Sequence, residues 1–417
     1  MTQAGARGGS RAGGARPLAG VRVLDLTRVL AGPHASRMLC DLGAEVIKVE
    51  PPEGDITRTT HPRRHSIASY FAQQNVGKRC ISIDLDHAEG RELLAGLAAR
   101  CDVLLENFRP GVMERLGLGE ATLRARHPRL IYASASGFGQ TGPWVDRRAY
   151  APVVGAETGL TRSQGDARGG TYANDPHSHA DVYTAIELAA AVLAALYQRE
   201  RTGVGDRIDV AMAQTMLYVN EHVHDALWED EVPDGVLRSF GPGDYPVLTA
   251  GNGDVVVVSG HPAENTTFDY YMGAAERPDL AADPRLADVA GRLAHLDEIL
   301  DALRAWARGC RDYEEVRSRL AAHRLAAGLL RSVADLAETD WAREREAVVR
   351  VSDRGGGTIR LPNAPWRFAG SDVRVSGEPR YRGEDNREVL AELLGLDGEA
   401  LDALEASGVI SSRLPRA

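Results

Sequence analysis

Short apolar segments alternate with helical patterns through the first half of the chain. The segment 21–26 is apolar except for Arg22 and Asp25, which is typical of a largely buried parallel strand. Further strands are predicted at 44–49, 80–85, 102–106 and 129–134, with helical patterns between them at 35–42, 87–100 and 111–126. Strands joined through helices imply right-handed crossovers and a doubly wound parallel sheet. The pattern therefore predicts an α/β fold with a Rossmann-like large domain.

The turn after the first predicted strand, residues 27–33, reads TRVLAGP. It lacks the G-x-G-x-x-G pattern with which a Rossmann turn approaches a dinucleotide pyrophosphate. Ligands of doubly wound sheets bind beyond the carboxyl ends of the strands. The candidate ligand-binding segments are therefore those that follow a strand, at 29–31, 50–52, 107–111 and 134–143.

The second half of the chain has a different character, and 417 residues are too many for one ordinary core. Residues 238–246 are a Gly- and Pro-rich connection in which Gly241 and Gly243 are read as turn residues, and a strand is predicted at 255–259. Helices are predicted at 281–307 and 312–323 and near the C-terminus. We expect four regions: a disordered tail at 1–16, a large domain at 17–220, a linker with a small mixed α+β domain at 221–350, and a return segment at 351–417 whose C-terminal helices pack on the large domain.

Composition limits the partners and the cellular compartment that we expect for this protein. A formal net charge of −10 argues against nucleic acid or an anionic membrane as the main partner. The cysteines Cys40, Cys80, Cys101 and Cys310 show no C-x-x-C spacing, so we expect reduced core residues in a cytoplasmic protein. We see no run of about 18 apolar residues to span a membrane and no signal-peptide segment.

Only two lysines occur in the chain, Lys48 and Lys78. A bias toward arginine codons explains the scarcity, but it does not explain why both lie in the first 80 residues. An ammonium group is a compact point charge that suits phosphate. Lys78, just before the strand at 80–85, is therefore a candidate ligand-binding residue with a solvated head group.

Four segments carry a family resemblance: PLAGVRVLDLTRVLAGPHASRMLCDLGAEVIKVEPPEGDI at 17–56, ENFRPG at 106–111, SASGFGQTGP at 134–143 and RTGVGDRIDV at 201–210. With these motifs the chain resembles the family III CoA-transferases, the group of formyl-CoA transferase, the carnitine CoA-transferases and the α-methylacyl-CoA racemases. The resemblance implies an interlocked homodimer. It also implies an acyl-CoA donor and a small carboxylate acceptor as substrates, with no metal and no tightly bound cofactor.

The resemblance also implies which residues surround CoA: Val29, Ala31, Lys78, Asn107, Phe108 and Arg115, with Ser136, Gly137 and Tyr150 as further candidates. From the residues alone, Asn107 could equally be a turn former and Phe108 a core residue. Backbone amides between Ser136 and Gly142 are candidates for stabilising an oxyanion.

Asp181 stands directly before the alanine-rich apolar segment 182–199, which predicts a helix. We expect its side chain to cap that helix, whose dipole would keep the carboxylate ionised. In the family pattern the catalytic aspartate holds this position, ahead of the segment at 201–210. Asp181 is therefore the predicted nucleophile, which attacks a thioester to form an aspartyl anhydride and then an aspartyl-CoA thioester. Asp175 is a nearby alternative.

Two departures from the family pattern leave alternatives open. Tyr150 stands where the racemases carry a histidine, which disfavours racemisation because that reaction needs a group on each face of the α-carbon. Ala151 stands where many transferases carry an acidic residue. A 2-methylacyl-CoA racemase or epimerase, and a CoA-binding protein without catalysis, remain the alternatives to a CoA-transferase.

Overall fold

The computed structural model of the protein describes residues 15–233, 235–237 and 245–414. Most of the predicted tail lies outside these ranges, as do Gly241 and Gly243. The chain divides into two compact units, a large unit of Met1–Asn220 with Asp340–Ala417 and a small unit of Glu221–Thr339. The small unit therefore ends before the boundary expected at residue 350.

A six-stranded parallel sheet forms the centre of the large unit. The strands before residue 220 are β1 (Arg22–Asp25), β2 (Glu45–Glu50), β3 (Arg63–Arg64), β4 (Ile67–Ala68), β5 (Arg79–Ser82), β6 (Val103–Glu106), β7 (Ile131–Ser136) and β8 (Arg207–Ala211). Strands β3 and β4 pair separately, and the others form a sheet of order β5-β2-β1-β6-β7-β8. Strands β2 and β5 thus lie on one side of β1, and the later strands β6, β7 and β8 lie on its other side. The predicted α/β fold with a large parallel sheet is confirmed.

Helices connect these strands. They are α1 (Ala31–Asp41), α2 (Ser69–Asn75), α3 (Ala88–Ala98), α4 (Val112–Arg115), α5 (Glu120–Arg126), α6 (Ala151–Glu157), α7 (Leu160–Asp166), α8 (His179–Thr202) and α9 (Met212–Tyr218), with a 3-10 helix at Ile56–Thr59. The single helix predicted at 111–126 is two helices, because Gly117, with a φ of +73°, and Gly119 separate α4 from α5.

Two hydrophobic clusters cover the two faces of the sheet, since side chains of a strand alternate between faces. Leu24 and Leu104 face one cluster, which contains residues of α3, α4 and α5. Val23 and Val103 face the other, which contains residues of α1 and α8. Helices therefore lie on both faces, as a doubly wound sheet requires.

The small unit contains an antiparallel sheet and helices. Its elements are α10 (Val223–Ala226), β9 (Val247–Thr249), β10 (Val255–Val258), α11 (Asn265–Ala274), α12 (Pro278–Ala281), a 3-10 helix (Pro284–Leu286), α13 (Val289–Ala294), α14 (Leu296–Gly309), α15 (Tyr313–Ala322), β11 (Ala327–Leu329) and α16 (Val333–Ala337). The strands pair in the order β11-β10-β9. The helix predicted at 281–307 is interrupted, because residues 284–286 form the short 3-10 helix and α13 ends at Ala294 before α14 begins.

The chain then returns to the large unit with α17 (Asp340–Glu344), β12 (Val348–Ser352), β13 (Thr358–Pro362), α18 (Asn386–Leu394) and α19 (Gly398–Ala406). Val389 and Leu401 of the last two helices are buried in the same cluster as Leu24. The Asp385 carboxylate accepts a hydrogen bond of 2.7 Å from the backbone N–H of Cys80. The C-terminal segment therefore completes the core beside the edge strand β5.

Helix α8 is, by length and composition alone, apolar enough to cross a membrane, which the sequence analysis did not anticipate. It packs against α1, α6 and α9 and against strands β7 and β8. The helix therefore serves as a core helix of the large unit. Its face with Tyr183, Ile186, Leu193 and Tyr197 is exposed in the single chain.

Candidate active site

A cavity of about 510 Å³ lies at the carboxyl ends of β1, β6 and β7. The strand order reverses between β1 and β6, and crevices at such switch points are where doubly wound sheets bind ligands. Eight of the predicted site residues line this one cavity: Val29, Ala31, Asn107, Phe108, Ser136, Gly137, Tyr150 and Asp181.

The N-terminal ends of three helices meet at Asp181. The residue lies in the first turn of α8, and the backbone N–H groups of Ala31 and Ala151 lie close enough to its carboxylate to lower its pKa. Ala31 and Ala151 are the first residues of α1 and α6. The first N–H groups of a helix have no partner within it and carry partial positive charge. The three helix ends therefore direct their positive ends toward one carboxylate.

The structure corrects two expectations for Asp181. Helix α8 begins at His179 rather than 182, so Ser178 holds the N-cap position and Asp181 is not the capping residue. Burial raises the pKa of Asp181 to about 6, although the N–H groups of Ala31 and Ala151 lower it. The helix ends therefore do not hold the pKa below its usual value, but a pKa near 6 still leaves most of the carboxyl ionised at pH 7.

The segment 27–33, called the loop 27–33 although its last three residues form the first turn of α1, brings Ala31 to this carboxylate. Val29 has a φ of +70°, a conformation that β-branched residues rarely adopt and that is found at functional sites. The Asn107 side chain accepts from the Arg28 N–H at 2.8 Å and donates to the Arg28 carbonyl at 2.9 Å. Asn107 lines the cavity, and its side-chain amide is already engaged in holding this loop.

The segment after β7 forms the opposite wall. The Ser136 hydroxyl accepts from the Gly139 N–H at 3.0 Å, and Asp209 accepts from the Gln140 N–H at 2.9 Å. These two amides are thus engaged within the protein. Of the other residues in the predicted range, Ser136, Gly137 and Phe138 line the cavity, so the amides of Gly137 and Phe138 are the remaining candidate oxyanion donors of the loop. A Cβ at Gly137 would lie 2.0 Å from the Ala149 Cβ, so only glycine permits this close approach.

Arginines line the cavity, and the sequence analysis did not single them out. Arg28, Arg109, Arg147 and Arg148 all contribute to its wall. The Arg28 guanidinium lies 5.4 Å from the centre of the Phe108 ring, and that of Arg147 lies 3.9 Å from the Trp144 ring. Arg147 also pairs with Glu157 at 3.2 Å, and Arg109 donates to the Asp146 carbonyl at 3.1 Å. Four arginines in one cavity wall favour an anionic ligand such as a phosphate ester. The signal in the sequence was the pair Arg147-Arg148 just before α6.

Two tyrosines, Tyr70 and Tyr150, also line the cavity. Tyr70, at the start of α2, lines the cavity close enough to Asp181 for the carboxylate charge to contribute, after burial, to a raised tyrosine pKa. Tyr150 is 68% exposed and holds the N-cap position of α6. Tyr70 was missed by the sequence analysis because it lies after the short hairpin β3–β4, which carries no motif.

Lys78 and Arg115 are not among the residues that line this cavity. Lys78 is only 1% exposed, and its ammonium forms a 3.0 Å ion pair with Asp25 and a 2.9 Å hydrogen bond to the Pro33 carbonyl. The expectation of a solvated lysine head group is therefore wrong, because the group is buried and paired inside the large unit. Arg115 is exposed at the end of α4.

Asp175 differs from Asp181 in its surroundings. Its carboxylate accepts from the His177 N–H at 2.9 Å and pairs with the His179 ring. Burial raises its pKa, but these hydrogen bonds outweigh burial, and the net shift of the Asp175 pKa is downward. Asp175 does not line the cavity. The two carboxylates therefore differ: Asp175 is hydrogen-bonded to its neighbours outside the cavity, whereas Asp181 faces the cavity.

One group of side chains suited to a metal ion occurs in the described part of the chain. His222, His224 and Asp225 place their ligand atoms within 4.8 Å of one another in the small unit. Two of the three residues are exposed. Each of the histidines is already near the Asp225 carboxylate, at 3.5 and 3.1 Å.

Residues 18–386 match the family described as CoA-transferase family III. The chain therefore belongs to the family III CoA-transferases and is an enzyme of that family. It is 35% identical to the formyl-CoA:oxalate CoA-transferase of Streptomyces coelicolor over 95% of this chain and 100% of the relative. It is 31% identical to the succinyl-CoA–D-citramalate CoA-transferase of Chloroflexus aurantiacus, over 95% of this chain and 98% of the relative.

Solved structures agree with this assignment. A CAIB/BAIF family protein from Brucella suis superposes with a TM-score of 0.77 at 30% identity, over 90% of this chain and 99% of that structure. Rv3272 from Mycobacterium tuberculosis superposes with the same TM-score at 33% identity, over 89% of this chain and 99% of that structure. The predicted family resemblance is confirmed.

Proposed function

We propose that this enzyme transfers CoA from an acyl-CoA thioester to a carboxylic acid, with Asp181 as the covalent nucleophile. The observation that carries the proposal is the position of Asp181 in the wall of the switch-point cavity, together with Ala31 and Ala151, the first residues of two helices, whose N–H groups favour its ionised form. A carboxylate that two amides orient is a defined nucleophile, and it needs no base because it has no proton to lose.

The reaction then runs through four substitutions that conserve charge. An Asp181 oxygen attacks the donor thioester carbon, the C–S bond breaks, and an acyl-aspartyl anhydride and CoA thiolate result. The thiolate attacks the Asp181 carbonyl, which releases the donor acid and leaves an aspartyl-CoA thioester. The acceptor carboxylate displaces the thiolate to form a second anhydride. The thiolate finally attacks the acceptor carbonyl, which yields the new acyl-CoA and regenerates Asp181.

The cavity supports this assignment of the CoA. The CoA phosphates need cationic partners near the carboxyl ends of the strands, and Arg28, Arg109, Arg147 and Arg148 provide them. Each tetrahedral intermediate develops an oxyanion, for which the N–H groups of Gly137 and Phe138, on the opposite wall, are the candidate donors. Acyl-CoA and CoA enter and leave as substrates.

The acceptor we propose is a small dicarboxylate. The relative from Streptomyces coelicolor is named for oxalate, and that from Chloroflexus aurantiacus for D-citramalate. The cationic cavity suits an acceptor with a second carboxylate, because one carboxylate attacks and the other pairs with a guanidinium. A panel of formyl-CoA and succinyl-CoA donors against oxalate, citramalate and monocarboxylates tests this choice.

We also propose a homodimer in the cytoplasm. The apolar residues Tyr183, Ile186, Leu193 and Tyr197 follow one another at three-, seven- and four-residue steps and form one exposed stripe on α8. A second copy of the chain would cover such a stripe. Interlocked chains predict a dimer mass that stays constant on dilution in sedimentation, and a monomer at all concentrations would contradict it.

The covalent intermediate gives the decisive test. Incubation with donor acyl-CoA and no acceptor should accumulate an aspartyl adduct, which hydroxylamine traps and borohydride converts to homoserine in the peptide of Asp181. Asp181→Asn should abolish the adduct and turnover while CoA binding persists, because an amide is a poor nucleophile. Asp175→Asn is the matched control and should keep both. Turnover in Asp181→Asn, or an adduct on another residue, would disprove the assignment.

A further inference from the structure

Two buried ion pairs lie against the loop 27–33. The Lys48 ammonium is 3.2 Å from the Asp55 carboxylate, and that of Lys78 is 3.0 Å from Asp25. All four side chains in these pairs are fully buried, with at most 1% of each residue exposed. The group contains two cations and two anions, so its formal charges cancel. Every lysine of the chain is part of it.

These four side chains bond directly to the loop backbone. Lys48 donates to the Thr27 carbonyl at 2.8 Å, and Asp55 accepts from the Val29 N–H at 3.2 Å. Asp25 accepts from the Thr27 N–H at 2.9 Å. At the other end Lys78 donates to the Pro33 carbonyl at 2.9 Å. The loop is therefore held at both ends by charged groups, between which lies Ala31.

Burial of these charges is a poor route to stability, because desolvation of an ion pair often exceeds the attraction that it gains. Asp55 also accepts from the N–H of Val29, whose φ of +70° is a conformation that persists only where the surroundings fix it. Gly32 reinforces the same geometry, since a Cβ there would lie 2.2 Å from the Thr27 Cβ. Two buried ion pairs that cost free energy and surround one strained loop indicate a role in the active site.

We propose that the Lys48–Asp55 and Lys78–Asp25 pairs are positioning residues, which fix the loop so that the Ala31 N–H is directed at the Asp181 carboxylate. The inference rests on the proposed role of Asp181. None of the four residues lines the cavity, so they act through the loop and not on the substrate. Misplacement of a reacting group by about 1 Å can lower a rate about 100-fold. Residues that fix the loop would therefore protect the rate by keeping the Asp181 carboxylate in position.

The test uses the double variant Lys48→Met/Asp55→Asn, which removes the pair without leaving an unpaired charge. The wild-type Asp55 carboxylate uses one oxygen for the Val29 N–H and the other for the Thr57 N–H, whereas the amide in the variant keeps a single acceptor oxygen. We expect kcat to fall at least tenfold with the KM for acyl-CoA changed less. The Ala31 N–H lowers the Asp181 pKa, so its displacement should also raise the acidic limb of the pH–rate profile by about one unit.

The pH readout needs the other ionisable groups around Asp181 to be held constant. Those that line the cavity with it are Arg28, Tyr70, Arg109, Arg147, Arg148 and Tyr150. None of them is substituted in the double variant. A shift of the acidic limb would therefore report on the Asp181 carboxylate.

Asp41→Asn is the matched control, because Asp41 forms a similarly buried ion pair with Arg37 on α1 away from the loop. It should keep the wild-type acidic limb even if thermal stability falls. Equal effects in Asp41→Asn, or wild-type kcat and limb in the folded double variant, would overturn the inference. Asp55→Asn alone is the second variant, and failure of both to fold would assign the pairs to fold stability instead. Turnover by Asp181→Asn in the same assay would refute the proposed function itself.

Discussion

Asp181→Asn should make the protein more stable at neutral pH, although it removes the proposed nucleophile. The reason is the raised pKa of the native carboxyl, which burial causes. Between the usual value of 3.8 and about 6, the native state binds more protons than the unfolded chain. Ionisation therefore destabilises the native state as the pH rises through this window. The full penalty is present above about pH 6 and absent below about pH 4.

The size of the effect follows from the shift. A rise from 3.8 to about 6, at about 1.4 kcal/mol per unit, corresponds to about 3 kcal/mol. Asparagine avoids this penalty, but its neutral oxygen accepts weaker hydrogen bonds than a carboxylate does, at a cost of about 1–2 kcal/mol. The net gain is about 1–2 kcal/mol, or a few degrees in Tm for a protein of this size.

Thermal unfolding of wild type and variant at about pH 8 and about pH 4.5, on either side of the Asp181 pKa, checks this. The variant should unfold at the higher temperature at the alkaline pH, and the difference should shrink at the acidic one. Asp175→Asn is a control in which the stability change should have the opposite sign. Burial raises the Asp175 pKa, but the hydrogen bonds from His177 and His179 outweigh burial and leave the pKa lowered. Asp175→Asn should therefore destabilise the protein at the alkaline pH. A Tm difference for Asp181→Asn that is negative or independent of pH would refute the reasoning.

Three further results are expected. Lys78→Ala should lower the free energy of unfolding by about 3–5 kcal/mol, because Asp25 loses its buried partner; weaker CoA binding with an unchanged Tm would contradict this. The kcat/KM profile should fall below about pH 6 as the Asp181 carboxylate is protonated, and an acidic limb two units lower would exclude that assignment. Gly137→Ala should cost about 1–3 kcal/mol and reduce kcat through the clash with Ala149, which unfolding and turnover measurements would show.

The parallel sheet and the position of the cavity could be predicted from the sequence. Alternation of apolar strands with helical patterns determines a doubly wound sheet, and the residues that follow β1, β6 and β7 then converge at one edge. The segments that contain Val29, Asn107 and Ser136 were found in this way, and the family resemblance then singled out these residues. The order of strands, which places the switch point between β1 and β6, follows from packing of the whole large unit and not from any local segment.

Other features depended on contacts between distant segments. The helix ends at Ala31 and Ala151 meet Asp181 only in the folded large unit, so no local pattern indicates these amides. Lys78 was read as a solvated group because its anionic partner Asp25 is 53 residues away in the chain. The start of α8 was placed three residues late, since the polar segment before Val182 resembles a loop.

The burial of both lysines also affects how the enzyme tolerates its own substrates. Acyl-CoA thioesters react slowly with free primary amines, and an exposed lysine side chain is the usual protein target of such acylation. Here Lys48 and Lys78 are at most 1% exposed and are paired with buried carboxylates, so neither amine is accessible to an acyl-CoA. The side chains of the folded enzyme therefore present guanidinium groups as their positive surface charge and no lysine amine. We therefore expect the side chains of the folded enzyme to resist acylation by its own substrates.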